Sequence, residues 1–98
     1  MSVFLGSRTI DGVQVTVDGQ PIDPAFDLGT FGSGLFEWSY EGEGPMQLSL
    51  AILKEYHKDG QKALRDADYF MRAVVANLGN DWELTTDNIR DALSNAGR

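Results

Sequence analysis

The stretch that follows Pro45 constrains the fold most, because a helix there would be apolar on most of its circumference. Its apolar residues and one histidine recur with helical spacing: Met46, Leu48, Leu50, Ile52, Leu53 and His57. Proline suits the first turn of a helix, where its missing N–H leaves no hydrogen bond unmade. The rest of the chain must therefore supply enough apolar surface to cover a helix that begins near residue 45.

The amino-terminal residues predict a β-hairpin. Residues 3–10 and 13–17 are rich in β-branched side chains, and the Asp11-Gly12 pair between them is a strong signal for a two-residue turn. Along residues 13–17 apolar and polar side chains alternate, so one face of this strand is buried and the other is wet. Residues 82–85 predict a short late strand, and its addition to the hairpin gives the simplest sheet, with three strands.

Two further helices are predicted. One runs from about Gly60 to Leu78, with Gly79 as its carboxyl-terminal cap, and the other begins with Thr85 or Thr86 as its cap. The apolar face of the longer helix comprises Leu64, Ala67, Met71, Val74, Val75 and Leu78. This order of elements predicts an α+β fold, in which a small antiparallel sheet packs against about three helices. At 98 residues, we expect a single domain over residues 1–98.

Residues 18–34, between the hairpin and the first helix, show no sustained period and contain several glycines. Large apolar side chains in this segment argue for packing onto the core: Ile22, Phe26, Leu28 and Phe31. We therefore expect an ordered loop that these residues pin in place, with disorder as the alternative.

Charge is distributed unevenly along the chain. Fifteen acidic residues against eight lysines and arginines give a net charge of −7, and residues 11–43 carry this whole excess without one basic residue. Such a segment would repel a phosphate backbone, since nucleic-acid binding depends on lysine and arginine. Direct nucleic-acid binding is therefore not expected, whereas a basic protein surface, including that of a nucleic-acid-binding protein, would be attracted.

Several classes of site and location are disfavoured by what the composition lacks. The chain contains no cysteine and a single histidine, His57, so a disulfide, a thiolate zinc site and a histidine-based zinc set are excluded. No segment resembles a signal peptide or approaches the roughly 20 apolar residues that span a bilayer. We expect a cytoplasmic protein without a metal, a cofactor or a membrane contact.

The segment Gly42-Glu43-Gly44 ahead of the predicted helix could suggest a phosphate cradle. A P-loop also needs Gly-Lys-Ser/Thr, and here Glu41 and Glu43 would repel a phosphate, so a turn that leads into the helix is the better interpretation. With Glu37, these two glutamates could form paired carboxylates for acid–base chemistry or a site for a hard cation. Their spacing demands neither, and an exposed acidic surface is the simpler interpretation.

Residues 36–53, FEWSYEGEGPMQLSLAIL, carry a resemblance. They resemble a small family of bacterial, plasmid and phage proteins that is a domain of unknown function, with a motif close to FEWGY-x-GSGP-x-QLALAIL. The similarity extends to further segments at residues 15–19, 74–76 and 82–85, and so spans nearly the whole chain. Ser39 stands where that motif has glycine, and Glu43 stands where it has a small residue.

The resemblance implies a class of function through the mobile elements on which such proteins occur. Short acidic proteins of phages and plasmids often bind and block host defence machinery, and anti-CRISPR proteins that cover the DNA-binding surface of a Cascade-type complex are one such group. The family implies no catalytic residues for this chain.

These observations favour a non-enzymatic acidic inhibitor that docks on a basic protein surface as a nucleic-acid mimic, with a CRISPR effector complex as a candidate partner. The candidate contacts, chosen for charge and for expected exposure in a loop, are Asp23, Asp27, Glu37, Glu41 and Glu43. One alternative is a small enzyme or metal-dependent factor built on the three glutamates. Another is a housekeeping or oligomerising domain whose acidity only serves solubility.

Overall fold

The computed structural model describes residues 2–95 and has the predicted α+β architecture. Its strands are β1 (Val3–Thr9), β2 (Gly12–Val17), β3 (Gln20–Pro21) and β4 (Trp82–Thr85). Its helices are α1 (Glu43–His57), α2 (Gly60–Ala73) and α3 (Thr86–Ser94), with a short 3₁₀ helix at Val75–Asn77. The strands form an antiparallel sheet in the order β3-β2-β1-β4, and one face of this sheet shares a core with the helices.

The late strand joins the hairpin as predicted, because β4 pairs with β1 along its whole length. The sheet also has a fourth strand, β3, where a loop was expected. Asp18 and Gly19 both have positive φ, 52° and 84°, which a tight two-residue hairpin turn requires. This turn places Gln20 opposite Val17, so the chain makes a second hairpin before it leaves the sheet.

The first hairpin turns one residue earlier than the sequence predicts. Thr9 pairs with Gly12, so Ile10 and Asp11 form the two-residue loop. Gly12 has a φ of 121°, a conformation that suits glycine, and it therefore serves as the first residue of β2. The shift leaves Ile10 fully exposed and puts the Asp11 carboxylate at the tip of the hairpin.

Helix α1 is the centre of the core, as its sequence predicts. It begins at Glu43, so Pro45 lies in its first turn. Its buried residues lie on every side of the helix: Pro45, Gln47, Leu48, Ser49, Leu50, Ala51, Ile52 and Leu53. Because α1 is buried almost all round, the sheet, α2 and the preceding loop must each cover part of it.

Two tryptophans close the core beneath β1. The indole of Trp82 lies directly over Gly6, where a Cβ atom would come within 2.2 Å of the ring. Trp38 meets Trp82 edge to face, with ring centroids 5.6 Å apart, and both side chains are buried. Gly6 is therefore a packing requirement, since any side chain there would displace the Trp82 ring.

Helix α2 is shorter than predicted. The sequence predicts a helix that continues to Leu78, whereas α2 ends at Ala73 and is followed by the 3₁₀ helix. The adjacent β-branched residues Val74 and Val75 weaken a helix at this point, and Val75 is buried in the tighter turn. Gly79 therefore caps no α-helix, and that prediction was wrong.

The buried face of α2 also differs from the expected one. Leu64, predicted as part of the apolar face, is exposed, and the buried residues are Ala63, Ala67, Phe70 and Met71. The small side chains of Ala63 and Ala67 let α2 approach α1 closely enough for Ser49 Oγ to donate a hydrogen bond to the Ala67 carbonyl, at 2.7 Å. Ala67 and Met71 are buried as predicted, and Ala63 takes the place of Leu64 on the buried face.

The last helix begins as predicted, with Thr85 as its cap. Thr85 Oγ1 accepts a hydrogen bond from the Asn88 amide, and the Asn88 side chain accepts one from the Thr85 amide. Ile89 is buried, which anchors α3 on the core.

Candidate functional site

The segment between β3 and α1, residues 22–42, contains neither helix nor strand, and we call it the acidic loop. Irregular segments longer than about 15 residues are uncommon inside compact domains and are usually functional when they are ordered. The acidic loop is therefore the first candidate for a functional site.

Gln47 of α1 orders the first half of the acidic loop. Its side chain is fully buried, and its Oε1 accepts a hydrogen bond from the Phe31 amide at 2.8 Å. Its Nε2 donates to the carbonyls of Pro24 at 2.7 Å and Gly29 at 3.1 Å. One buried amide thus fixes the loop at three points, in agreement with the expectation of an ordered loop.

The apolar residues expected to pin this loop do so with one exception. Ile22 is buried, and Leu28 and Phe31 pack partly buried against the core. Phe26 is 51% exposed, so that part of the prediction was wrong. Its neighbour Ala25 occupies the buried position instead, with a φ of 65°.

Arg8 of β1 orders the second half of the acidic loop. Its Nη2 donates to Glu37 Oε1 and to the Trp38 carbonyl, both at 2.8 Å, and its Nη1 donates to Asn80 Oδ1 at 2.9 Å. The guanidinium also lies over the Trp38 ring, 4.6 Å from its centroid. A single arginine therefore ties the loop to the sheet and to the segment ahead of β4.

Ser39 closes this attachment from the loop side. Its amide donates to the Val75 carbonyl at 3.1 Å, and its hydroxyl donates to the Leu78 carbonyl. Its φ is 79°, a left-handed conformation that glycine adopts without strain. Serine is strained in this conformation, but its hydroxyl makes a hydrogen bond that glycine cannot make.

An open groove of about 970 Å³ runs between the acidic loop, the β1–β2 turn and the start of α1. Large apolar side chains of its wall stay exposed: Phe26 (51%), Leu35 (71%) and Tyr40 (51%). Its acidic side chains are Asp11, Glu37 and Glu43, and none of the described residues that line it is basic. The groove therefore offers apolar surface and negative charge side by side.

Glycines position the aromatic side chains near the groove. The Phe26 ring lies on Gly34, where a Cβ atom would come within 2.9 Å of Cε1. The Tyr40 ring lies on Gly42 in the same way, at 2.8 Å from Cε2. Both rings are thus held against backbone although each is about half exposed.

The acidic side chains of the groove also rest on glycines. A Cβ atom at Gly44 would lie 2.8 Å from Glu37 Cβ, and one at Gly32 would lie 3.1 Å from Glu43 Cβ. Gly32 of the loop and Gly44 of α1 therefore permit close packing of the groove side chains.

The acidic residues predicted as contacts divide into two groups. Asp23 and Asp27 lie beside α1, where Lys54 Nζ contacts their carboxylates at 3.5 and 2.8 Å. The hydrogen bond from Lys54 holds the pKa of Asp27 below its usual range, and the same bond raises the pKa of Lys54. The charge of this pair is thus partly compensated within the chain, although both carboxylates are exposed.

The other group lies at the groove. Glu37 and Glu43 line it, and Glu41 is exposed beside Tyr40 in the sequence. Arg8 and the Trp38 amide both bond to Oε1 of Glu37, so its Oε2 has no partner among the described residues. Within residues 2–95, Glu41 and Glu43 form no ion pair, so their charge is uncompensated at this end of the molecule.

A family model described as a family of unknown function, DUF6166, matches residues 4–95. The chain belongs to the DUF6166 family. No curated protein and no solved structure matches it. The expected membership of a family of unknown function is therefore confirmed over nearly the whole chain, and the site of this DUF6166 chain must be argued from its own residues.

Sequence reasoning missed part of the groove of this DUF6166 chain. Asp11 was assigned to a turn, and Leu35 and Tyr40 were not singled out as exposed. One signal was present in the sequence, since glycines at 29, 32, 34, 42 and 44 lie on both sides of the large side chains at 35–40. Glycines allow rings to lie on the backbone rather than among other side chains, as Tyr40 does on Gly42.

A second polar cluster links α1 to α2. His57 is the last residue of α1, and its Nε2 lies 2.9 Å from Asp66 Oδ2. Hydrogen bonds from Arg65, and then from His57, hold the pKa of Asp66 below its usual range. Both side chains of the His57–Asp66 pair are mostly buried, so the pair joins the two helices under partial shielding from water.

Two further properties of the described residues concern metal binding and membrane crossing. Within residues 2–95, no group of three or more histidine, cysteine, aspartate or glutamate side chains is placed to hold a metal ion. Over the same residues, no helix combines the length and the apolar character that crossing a membrane requires. The alternative of an enzyme or metal-dependent factor built on Glu37, Glu41 and Glu43 stays a prediction.

Proposed function

We propose that this chain is a non-enzymatic binding protein that docks its groove end, comprising the groove and the neighbouring Glu41, on a basic protein surface and so inhibits the partner. The observation that carries the proposal is uncompensated charge: Asp11, Glu41 and Glu43 form no ion pair within residues 2–95. No described residue that lines the groove is basic. A surface of one sign attracts its complement and speeds the encounter with it.

The finer part of the proposal is the partner. A nucleic-acid-binding complex of host defence, such as a Cascade-type CRISPR effector, presents lysines and arginines that normally meet phosphates. Carboxylates at the groove end would occupy those sites and exclude the nucleic acid. The resemblance of residues 36–53 to proteins of phages and plasmids supports this choice of partner.

The test is a pull-down with the tagged chain from bacterial lysate, with and without an expressed CRISPR effector complex, washed at low and then high salt. The informative variant is Glu41→Gln with Glu43→Gln, because these carboxylates are exposed and unpaired among residues 2–95. The matched control is Asp81→Asn with Glu83→Gln, which removes the same charge at exposed, unpaired positions outside the groove.

We expect capture of the effector at low salt, loss at high salt because exposed charges are screened, and strong weakening by the groove variant alone. Equal weakening by both double variants would assign the effect to net charge and contradict a role of the groove end. If the effector is not captured but another basic protein is, the partner is wrong. If no basic protein is captured, the function is wrong.

A further inference from the structure

The wall of the groove exposes more apolar surface than a contact driven by charge requires. Phe26, Leu35 and Tyr40 expose half or more of their surface on one side of the molecule. An exposed apolar surface with a polar rim marks an interaction site, and aromatic side chains contribute strongly when a partner covers them. The occupant of the groove should therefore bring an apolar group as well as a positive charge.

The groove is preorganised for such an occupant. The Phe26 ring lies on Gly34 and the Tyr40 ring lies on Gly42. Gln47 fixes the backbone on both sides of Phe26 through its three hydrogen bonds. Binding to a wall that is already ordered loses little conformational entropy, so even a short segment can bind.

The side chains of the groove wall favour an extended chain as the occupant. Residues 35–38 contain no helix, strand or turn, and the backbone groups of residues 35–37 form no hydrogen bond with other described residues. The Leu35 carbonyl and the Glu37 amide lie next to Gly44 of α1, so an extended peptide would meet the wall through its alternate side chains rather than through these backbone groups.

The acidic side chains at the rim of the groove specify the charge of its occupant. Glu37 Oε2 has no partner within residues 2–95, and the carboxylates of Asp11 and Glu43 lie on the same groove. Lysine and arginine side chains combine a positive head with an apolar stem, which suits a groove of this mixed character. We infer that the groove binds an extended segment of the partner in which a lysine or arginine neighbours a large apolar side chain. This inference rests on the proposed function, since the segment belongs to the basic partner.

The test uses the full chain and fluorescein-labelled, end-blocked decapeptides, titrated by fluorescence anisotropy. One peptide places arginine beside leucine, a second replaces each leucine with serine, and a third replaces each arginine with glutamate. The groove variants are Leu35→Ser and Tyr40→Ser, both at exposed positions of the wall. The control is Leu64→Ser, since Leu64 is an exposed leucine of α2, 41% accessible, that does not line the groove.

We expect the arginine–leucine peptide to bind, and each groove variant to weaken that binding by about tenfold, as for a partly exposed anchor. The Leu64→Ser variant should bind as the unaltered chain does, and the other two peptides should bind at least about tenfold more weakly. Equal affinity for the serine peptide, or no effect of either groove variant, would overturn the inference while leaving charge-driven docking intact.

Two further outcomes separate the inference from the proposed function. If the pull-down captures a basic partner through Glu41 and Glu43 but no peptide binds, the inference alone fails; if neither assay detects binding, both fail. Sedimentation of the chain alone completes the test. A dimer that dissociates in the Leu35→Ser variant would show that a second copy fills the groove, and this would also overturn the inference.

Discussion

The acidic loop and helix α1, adjacent in the chain, are held in place by different means. Helix α1 is buried on nearly all sides by apolar side chains, so many small contacts position it. The loop has few buried apolar residues and depends on two polar side chains from other elements, Gln47 and Arg8. Apolar packing therefore explains the order of the helix, whereas the order of the loop also depends on specific hydrogen bonds.

The two regions also differ in backbone strain. Ala25 and Ser39 of the acidic loop have φ values of 65° and 79°, and each costs about 1 kcal/mol for a residue with a side chain. No residue of α1 has positive φ. Strain of this kind persists only where the surroundings enforce it, and it is often found at functional sites. The difference agrees with a helix that serves stability and a loop that serves binding.

The largest effect should come from the apolar core that surrounds α1, at Gly6 of β1. Gly6→Ala places a Cβ atom 2.2 Å from the buried Trp82 indole, so the ring must leave its position. We expect the free energy of unfolding to fall by about 3 kcal/mol, measured by urea denaturation with tryptophan fluorescence.

Gly79→Ala is the matched control for Gly6, because a Cβ atom at Gly79 meets nothing within 4 Å. This control should change stability by less than about 0.5 kcal/mol. A Gly6→Ala protein as stable as the control would show that the space over β1 can be remodelled, and packing volume would then not distinguish the core from the loop.

The next effect should come from the main anchor of the loop. Gln47→Leu keeps the bulk of the side chain but leaves the Phe31 amide and the carbonyls of Pro24 and Gly29 without their partner. We expect a loss of about 2 kcal/mol, since buried groups lose hydrogen bonds, and faster amide hydrogen exchange at Phe31.

Gln61→Leu, at an exposed position of α2, is the control for the Gln47 variant and should leave the exchange of the Phe31 amide unchanged. Unchanged exchange in Gln47→Leu itself would mean that apolar contacts order the loop, as they order α1. The two regions would then differ in composition only.

A smaller effect should follow from Arg8→Lys, which keeps the charge but loses the forked geometry. Lysine can reach only part of the set formed by Glu37, the Trp38 carbonyl and Asn80. We expect a loss of about 1 kcal/mol in urea denaturation, together with a change in the fluorescence of Trp38, over which the guanidinium lies.

The exposed pair of Arg72 with Asp68 supplies the control for Arg8, and Arg72→Lys should change stability by less than about 0.5 kcal/mol. Equal effects of the two lysine variants would reduce Arg8 to an ordinary surface charge and remove it as an anchor of the loop.

The same division explains how much of the structure the sequence predicts. Periodicity reports burial, so α1, the hairpin, β4 and the Thr85 cap follow from local patterns. The exposure of Leu64 depends instead on how α2 packs against the rest of the core, which the pattern of a single helix does not encode. Local signals therefore predict the elements better than their contacts.

The groove is harder to predict because its parts are distant in sequence. Asp11 comes from the first hairpin, Leu35 from the acidic loop and Glu43 from α1. The acidic segment is evident from composition, but the sequence does not show that Lys54 compensates Asp23 and Asp27 while Glu41 and Glu43 stay free. Charge can be counted from a sequence, whereas its compensation is a property of the fold.

The smallest effect concerns Asp66, which joins α1 to α2 without contact to the acidic loop. Hydrogen bonds from Arg65 and His57 hold its pKa below the usual range, so ionised Asp66 stabilises the fold. This contribution is complete above the unfolded-state pKa of about 4 and is lost as the pH falls through the lower folded-state value. The stability difference between the unaltered chain and Asp66→Asn should therefore be about 0.5 kcal/mol at pH 7 and shrink below pH ~4, as measured by urea denaturation. Asp68→Asn, at an exposed carboxylate, should show a smaller difference at pH 7; a larger one would mean that surface charge governs the helices as it governs the groove.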